Sequence, residues 1–255
     1  MMRLFDIPKV SLDKRIRLIE LFGGIGTQAM ALRDIGADFE RWRLVEFDKK
    51  AVDSYNAVHG TSFVPMDIKN VHGEGLGVVE CDKYDYMMVY SSPCTSLSVA
   101  GKMEGMKKDS GTASSLLWEV ERLIEEMLEL SKDGIHGMPK VLLMENVTQI
   151  HNKENIADFN EWLSFLKDSG YWSDWFDLAA PDFGIAQNRD RCFCVSIYSE
   201  EMISIEPPKP IPLTVCMNDF LETEVGDEFY LKSEKAEKLV KELFESGKLR
   251  DKDLQ

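Results

Sequence analysis

Four short segments carry residue types that do chemistry. Pro93-Cys94 follows an apolar run, Tyr84-Asp-Tyr-Met-Met-Val-Tyr90, that reads as a buried strand. A cysteine just past a strand end, held by a proline, is how a nucleophile is presented at the mouth of an α/β sheet. As a thiolate, Cys94 could attack an electrophilic carbon; taken alone it reads equally as a small buried hydrophobe. Glu145 ends a second apolar run, Lys140-Val-Leu-Leu-Met144. A carboxyl at that sheet edge can donate or hold a proton, or simply cap a helix. Gln187-Asn-Arg-Asp-Arg191 sets Arg189 and Arg191 two apart at the start of a third run. Guanidinium groups there could clamp a carbonyl oxygen, a phosphate or a carboxylate, although charge runs are commonly solvated faces. Leu21-Phe-Gly-Gly-Ile-Gly26 follows a first apolar run. Glycines at Gly24 and Gly26 would let backbone amides and a helix N-terminus approach a ligand closely, or only make a turn.

Two acidic positions sharpen the last reading. Glu46-Phe47-Asp48 lies about 20 residues after the glycines, where an acidic side chain suits ribose hydroxyls. Phe47 could stack on an adenine. Asp67-Ile68 could accept from an adenine amino group. Together these residues point to a nucleoside-bearing cofactor. Of the remaining cysteines, Cys192 and Cys194 alternate along an apolar strand and read as packing, while Cys81 and Cys216 have no context. With five cysteines, no CxxC and only four histidines, no metal site is expected.

The elements that must position these residues alternate through the first 200 positions. The pattern predicts strands over 15–22, 42–47, 84–90, 140–144, 171–176 and 192–198, with a short strand near Phe63-Val64 leading to Asp67. Helices are expected over 27–35, 48–58, from Leu117 through Val120, Ile124, Met127 and Leu128, and over 155–168. Residues 95–111 read as a long loop. Alternation of this kind implies a doubly wound, mostly parallel α/β sheet with helices on both faces. Residues 1–200 would form the catalytic and cofactor-binding domain. Glu206-Pro-Pro-Lys-Pro-Ile-Pro212 opens a connector and tail over 201–255, with one helix near 232–247.

Composition bounds the rest. The 255 residues carry 30 basic and 45 acidic side chains, a net charge of −15. Duplex DNA binding draws on Lys and Arg contacts to phosphate, so this balance argues against strong nucleic-acid binding by the chain on its own. No apolar stretch approaches a membrane span, and the N-terminus lacks a signal-peptide core. A soluble cytoplasmic protein of a bacterial or phage-infected cell is expected.

Order and spacing together are more specific than any one segment. Glycine loop, Glu-Phe-Asp, Asp-Ile, Pro-Cys, Glu-Asn-Val and Gln-x-Arg-x-Arg occur in the succession typical of the DNA cytosine-5 methyltransferases. Ser98-Val-Ala-Gly-Lys102 and Ser115-Leu-Leu-Trp-Glu-Val120 also resemble that family, especially its phage and prophage members. The resemblance spans about residues 15–198 and implies the Rossmann-like fold of S-adenosylmethionine-dependent methyltransferases. It implies that S-adenosylmethionine is held by Phe22, Gly24, Gly26, Glu46, Phe47, Asp67, Ile68, Pro93 and Leu116. It further implies that Cys94 attacks C6 of a cytosine flipped from double-stranded DNA. Glu145 would hold N3 and the exocyclic amine, Arg191 the carbonyl oxygen, and Arg189 would support the site.

Departures from the pattern are Thr95 where the family has glutamine, Ala186 where it has proline, and Ala113 where it has arginine. Nothing in residues 200–255 resembles the family's recognition domain or late motifs. That implies the catalytic part of a split or truncated enzyme, helped by a second polypeptide. A non-catalytic remnant and a tRNA cytosine-5 methyltransferase are the competing readings. A dinucleotide oxidoreductase fits poorly, because the glycine loop is incomplete.

Overall fold

Strand β1 (Arg15–Leu21) is the centre from which the fold grows. It pairs in parallel with β2 (Phe39–Val45) on one side and β3 (Tyr84–Tyr90) on the other. The computed structural model describes residues 10–97, 105–108, 110–230 and 232–248. Strand β4 (Val141–Asn146) continues the parallel set beside β3. Strands β5 (Tyr171–Ala179) and β6 (Asp190–Tyr198) complete a six-stranded sheet of order β2-β1-β3-β4-β6-β5. Only β6 runs against its neighbours. This is the mostly parallel, doubly wound α/β sheet that the alternating pattern predicts.

Because the central strands are covered on both faces, their sequences are nearly continuous apolar runs. Ile19, Leu21, Met88, Tyr90, Leu142 and Met144 meet α4 (Leu117–Leu130), α5 (Ile156–Asp168) and the short α3 (Gly73–Leu76) on one face. Leu18 and Val89 meet α1 (Thr27–Asp34), and Leu44 meets Val52 and Tyr55 of α2 (Lys49–His59), on the other.

Two expectations change. No strand forms at Phe63-Val64: the Phe63 amide donates to the Asn56 side chain and the Met66 amide to the Glu46 carbonyl. Pro65 between them has no N–H to give a ladder. Strand β2 also begins three residues before the predicted 42, in the charged Phe39-Glu-Arg segment. Its charges are used locally, since Glu40 pairs with Arg17 at 2.6 Å and Arg17 lies between the rings of Trp42 and Tyr84. The Ser98–Lys102 segment and the middle of the 95–111 loop lie outside the described residues.

Packing divides the chain between Leu213 and Thr214. Within the first unit, residues beyond β6 still lie along the sheet: Ile203 is buried beside Val141 and Ile197, and the Ile211 amide donates to the Asp182 carbonyl at 2.8 Å. The second unit holds α6 (Glu234–Glu245), whose first turn is capped by Ser233. Among the described residues no helix is long and apolar enough to cross a membrane.

Candidate active site

Parallel pairing of β3 and β4 sets Tyr90 opposite Met144, so both strands leave the sheet at the same edge. Cys94 follows β3 and is half-buried against the core. Its turn is fixed from two directions. Ser114 donates to the Pro93 carbonyl at 2.8 Å and accepts from the Ser96 amide at 3.3 Å. Buried Asn146 donates to the carbonyl and hydroxyl of Ser92, at 3.2 and 3.1 Å. Asn146 therefore locks the end of β4 to the segment that carries Cys94.

Glu145 is half-buried on β4, directly opposite Phe193 of β6. Reversal of β6 brings the Gln187–Arg191 segment back to this edge. The Arg191 Nε lies 3.0 Å and the Arg189 terminal nitrogen 3.2 Å from the same Glu145 oxygen. The structure thus brings Glu145, Arg189 and Arg191 into one cluster, at the edge where Cys94 also emerges.

The glycine loop occupies the neighbouring position on that edge, after β1. Phe22 takes φ +56°, an uncommon left-handed conformation for a non-glycine residue. Gly24 takes φ +55°, and a Cβ there would meet nothing within 4 Å among the described residues. Glu46 ties this loop to the end of β2, accepting from the Gly24 amide at 3.0 Å and the Asp48 amide at 2.9 Å. Each oxygen keeps a lone pair for a further donor. Phe47 is 75% exposed beside it. Asp67 caps a short turn over Ile68–Asn70, and buried Ile68 is held against α4 by Arg122, which donates to its carbonyl at 3.0 Å. Leu116 packs half-buried on the core just before α4.

Sequence reasoning missed the layer beneath the glycine loop. Glu20 on β1 is fully buried and accepts from the Tyr55 hydroxyl. His59, one turn further along α2, makes a 3.0 Å contact with the Ile25 carbonyl. A buried carboxylate amid an apolar strand was the only signal available. Among the described residues, three buried polar atoms in this layer have no hydrogen-bond partner: Glu20 Oε1, Arg41 Nε and His59 Nδ1.

Burial pushes the Glu20 carboxyl from 4.5 up to about 7, with the Tyr55 hydrogen bond opposing the rise. The folded chain therefore holds this proton more tightly than the unfolded chain. That stabilisation is complete below about pH 4.5 and is lost as pH rises through 7. Its size is on the order of 3 kcal/mol. Glu20→Gln cannot titrate, so between pH 5 and 8 its denaturant-unfolding stability should fall less than that of the parent chain. Parallel pH profiles for the two proteins would refute this assignment.

Comparisons with known proteins identify the family and the fold. The sequence model of the C-5 cytosine-specific DNA methylase family matches residues 16–253. The chain is 32% identical over 266 residues to the type II methyltransferase M2.ScrFI of Lactococcus lactis subsp. cremoris, covering 86% of this chain and 71% of that one. It is 29% identical to the orphan methyltransferase M.SssI of Spiroplasma monobiae, covering 77% of this chain and 62% of the relative. In fold it is similar to the S. pombe Dnmt2 methyltransferase, with a TM-score of 0.61 at 20% identity over 90% of this chain and 66% of that structure. The fold is thus the Rossmann-like one of the S-adenosylmethionine-dependent methyltransferases. Matched over nearly its whole length, the chain belongs to the C-5 cytosine-specific DNA methylase family.

Proposed function

We propose that this chain transfers a methyl group from S-adenosylmethionine to C5 of cytosine in double-stranded DNA, with residues 1–200 carrying the catalysis. The observation that carries this reading is the convergence of Cys94 with the Glu145–Arg189–Arg191 cluster at the sheet edge that also bears the glycine loop.

The glycine loop fits the cofactor. Space above Gly24 is open, Glu46 retains lone pairs for ribose hydroxyls, and exposed Phe47 offers a face for adenine. Gly26, Asp67, Ile68, Pro93 and Leu116 complete the proposed binding set. When bound, S-adenosylmethionine supplies an electrophilic methyl group on a sulfonium.

Cys94 acts on a cytosine flipped out of the duplex. Its thiolate sulfur bonds to C6, and the C5–C6 π electrons move into the ring. Glu145 holds a proton at N3, which neutralises that charge, and Arg191 holds the carbonyl oxygen. Arg189 keeps Glu145 oriented. C5 is then nucleophilic toward the methyl group that bound S-adenosylmethionine would supply, the methyl–sulfur bond breaking with its electron pair kept by sulfur so that a neutral thioether leaves. Loss of the C5 proton to a base returns the electron pair to C5–C6 and expels the Cys94 sulfur.

Support for a DNA substrate comes from family membership. The comparisons offer no support for a second polypeptide, and the proposed chemistry does not depend on one. The test is transfer of labelled methyl from S-adenosylmethionine to duplex DNA, with nucleoside analysis of the product. Labelled 5-methyl-2′-deoxycytidine is the expected product. Cofactor binding without transfer to DNA would overturn the proposal, and transfer to tRNA alone would move the substrate to RNA.

A further inference from the structure

A second cluster of reactive side chains lies beside the first, and the proposed reaction does not use it. Asp177 on β5 and Cys192 on β6 are direct cross-strand partners, so their side chains share one face of the sheet. His151, at the end of the turn that follows β4, reaches the same point. Its Nε2 lies 3.0 and 2.9 Å from the two Asp177 oxygens. The donor atoms of His151, Asp177 and Cys192 all lie within 4.8 Å of one another.

Two aromatic rings orient the imidazole. Trp175 lies over it with centroids 4.6 Å apart, and Phe159 of α5 flanks it at 6.3 Å. The sulfur is fully buried, while the Asp177 side chain is 42% exposed and that of His151 22%. The site is therefore closed on its sulfur side and open to solvent at the carboxylate.

We propose that His151, Asp177 and Cys192 form a site for a divalent transition metal of the zinc class. One nitrogen, one oxygen and one sulfur donor suit a borderline ion, whereas calcium and magnesium favour all-oxygen sites. Three protein donors leave a fourth tetrahedral position for water. Binding forms a metal–sulfur bond and releases the thiol proton to solvent. His151 and Asp177 already stand at the spacing of neighbouring ligands, 2.9–3.0 Å apart, and a rotamer change must bring the Cys192 sulfur in to join them.

The site has a structural consequence for catalysis. Cys192 adjoins Arg191 in sequence and pairs with Asn146 across the sheet, next to Glu145. An ion here ties the turn after β4 to β5 and β6, and so stiffens the corner that presents Glu145 and Arg191. Sequence spacing gave no sign of it, because the three donors come from separate segments.

The test needs neither S-adenosylmethionine nor DNA, so its outcome is independent of the proposed reaction. The full chain is freed of metal with a chelator, then titrated with Zn2+ against a chromophoric competitor and separately with Co2+. One ion per chain, a sulfur-to-cobalt charge-transfer band and a zinc-dependent rise in Tm are expected. His151→Ala, Asp177→Asn and Cys192→Ala should each weaken binding by roughly tenfold or more, and Cys192→Ala should abolish the band. Cys94→Ala and Cys216→Ser should keep both. Should Cys192→Ala fail to fold, the His151 and Asp177 variants decide the matter. The proposal is overturned if zinc does not bind, if binding is indifferent to these three residues, or if the band depends on Cys94 or Cys216.

Discussion

Replacing Cys94 with alanine is expected to abolish methyl transfer while leaving the fold and cofactor binding in place. The two halves of that result come from different parts of the structure. The turn around Cys94 is held by its backbone and by neighbours: Ser114 on the Pro93 carbonyl, Asn146 on Ser92, and the Leu97 amide on the Cys94 carbonyl at 2.9 Å. None of these bonds uses the sulfur. Removing the sulfur of a half-buried side chain should cost about 1 kcal/mol of stability, at the low end of large-to-small substitutions. The chemical loss is of another order. Without the thiolate there is no bond to C6, the ring gains no charge, and C5 stays unreactive. Loss of a covalent nucleophile lowers turnover by roughly 10⁴-fold or more. A trapping experiment separates this role from mere positioning. Duplex DNA with 5-fluorocytosine at the target carries no C5 proton to lose, so the enzyme–DNA bond should persist through denaturing electrophoresis. The parent chain should form that adduct and Cys94→Ala should not. Residual transfer within tenfold of the parent, or an adduct that survives the substitution, would place the nucleophile elsewhere.

The residues proposed to react were legible in the sequence, and the residues that hold them largely were not. Cys94, Glu145 and the two arginines sit at strand ends, and apolar runs such as Tyr84–Tyr90 locate strand ends well. Cytosine chemistry then followed from their order along the chain. Ser114, Asn146 and Tyr55 work through contacts to residues 21, 54 and 35 positions away. Nothing in local periodicity reports such contacts. The absent strand near Phe63 has a similar cause. Its apolar side chains suited a strand, but Asn56 and Glu46 captured the backbone groups a ladder would have needed. Strand β2 starts at Phe39 and not at 42 because Glu40 and Arg41, which look like solvated charge, belong to the sheet, where Glu40 serves buried Arg17. Polar residues that neutralise one another across strands are invisible to a rule that counts apolar positions.

The paired substitutions Gly24→Ala and Gly26→Ala should separate support of the glycine loop from contact with the cofactor. Both glycines have left-handed backbones, φ +55° and +80°, so alanine is strained at either, by about 1 kcal/mol or somewhat more. They differ in what a Cβ meets. At Gly24 there is nothing within 4 Å. At Gly26 a Cβ would lie 2.3 Å from His59 Nε2 and 2.5 Å from Tyr55 Cε2. Neither ring can retreat cheaply. Tyr55 is fully buried and hydrogen-bonded to Glu20, and His59 is in contact with the Ile25 carbonyl. Forced overpacking adds roughly 1–3 kcal/mol, so Gly26→Ala should cost about 3 kcal/mol in denaturant unfolding, against about 1 kcal/mol for Gly24→Ala. Cofactor affinity should follow a different order relative to stability. The Gly24 methyl enters the open space assigned to S-adenosylmethionine, so a fold nearly as stable as the parent should bind the cofactor several-fold more weakly by calorimetric titration. Equal stability losses at the two positions would remove the Tyr55–His59 layer as the support of the loop. Unchanged affinity in Gly24→Ala would take that glycine out of the proposed cofactor site.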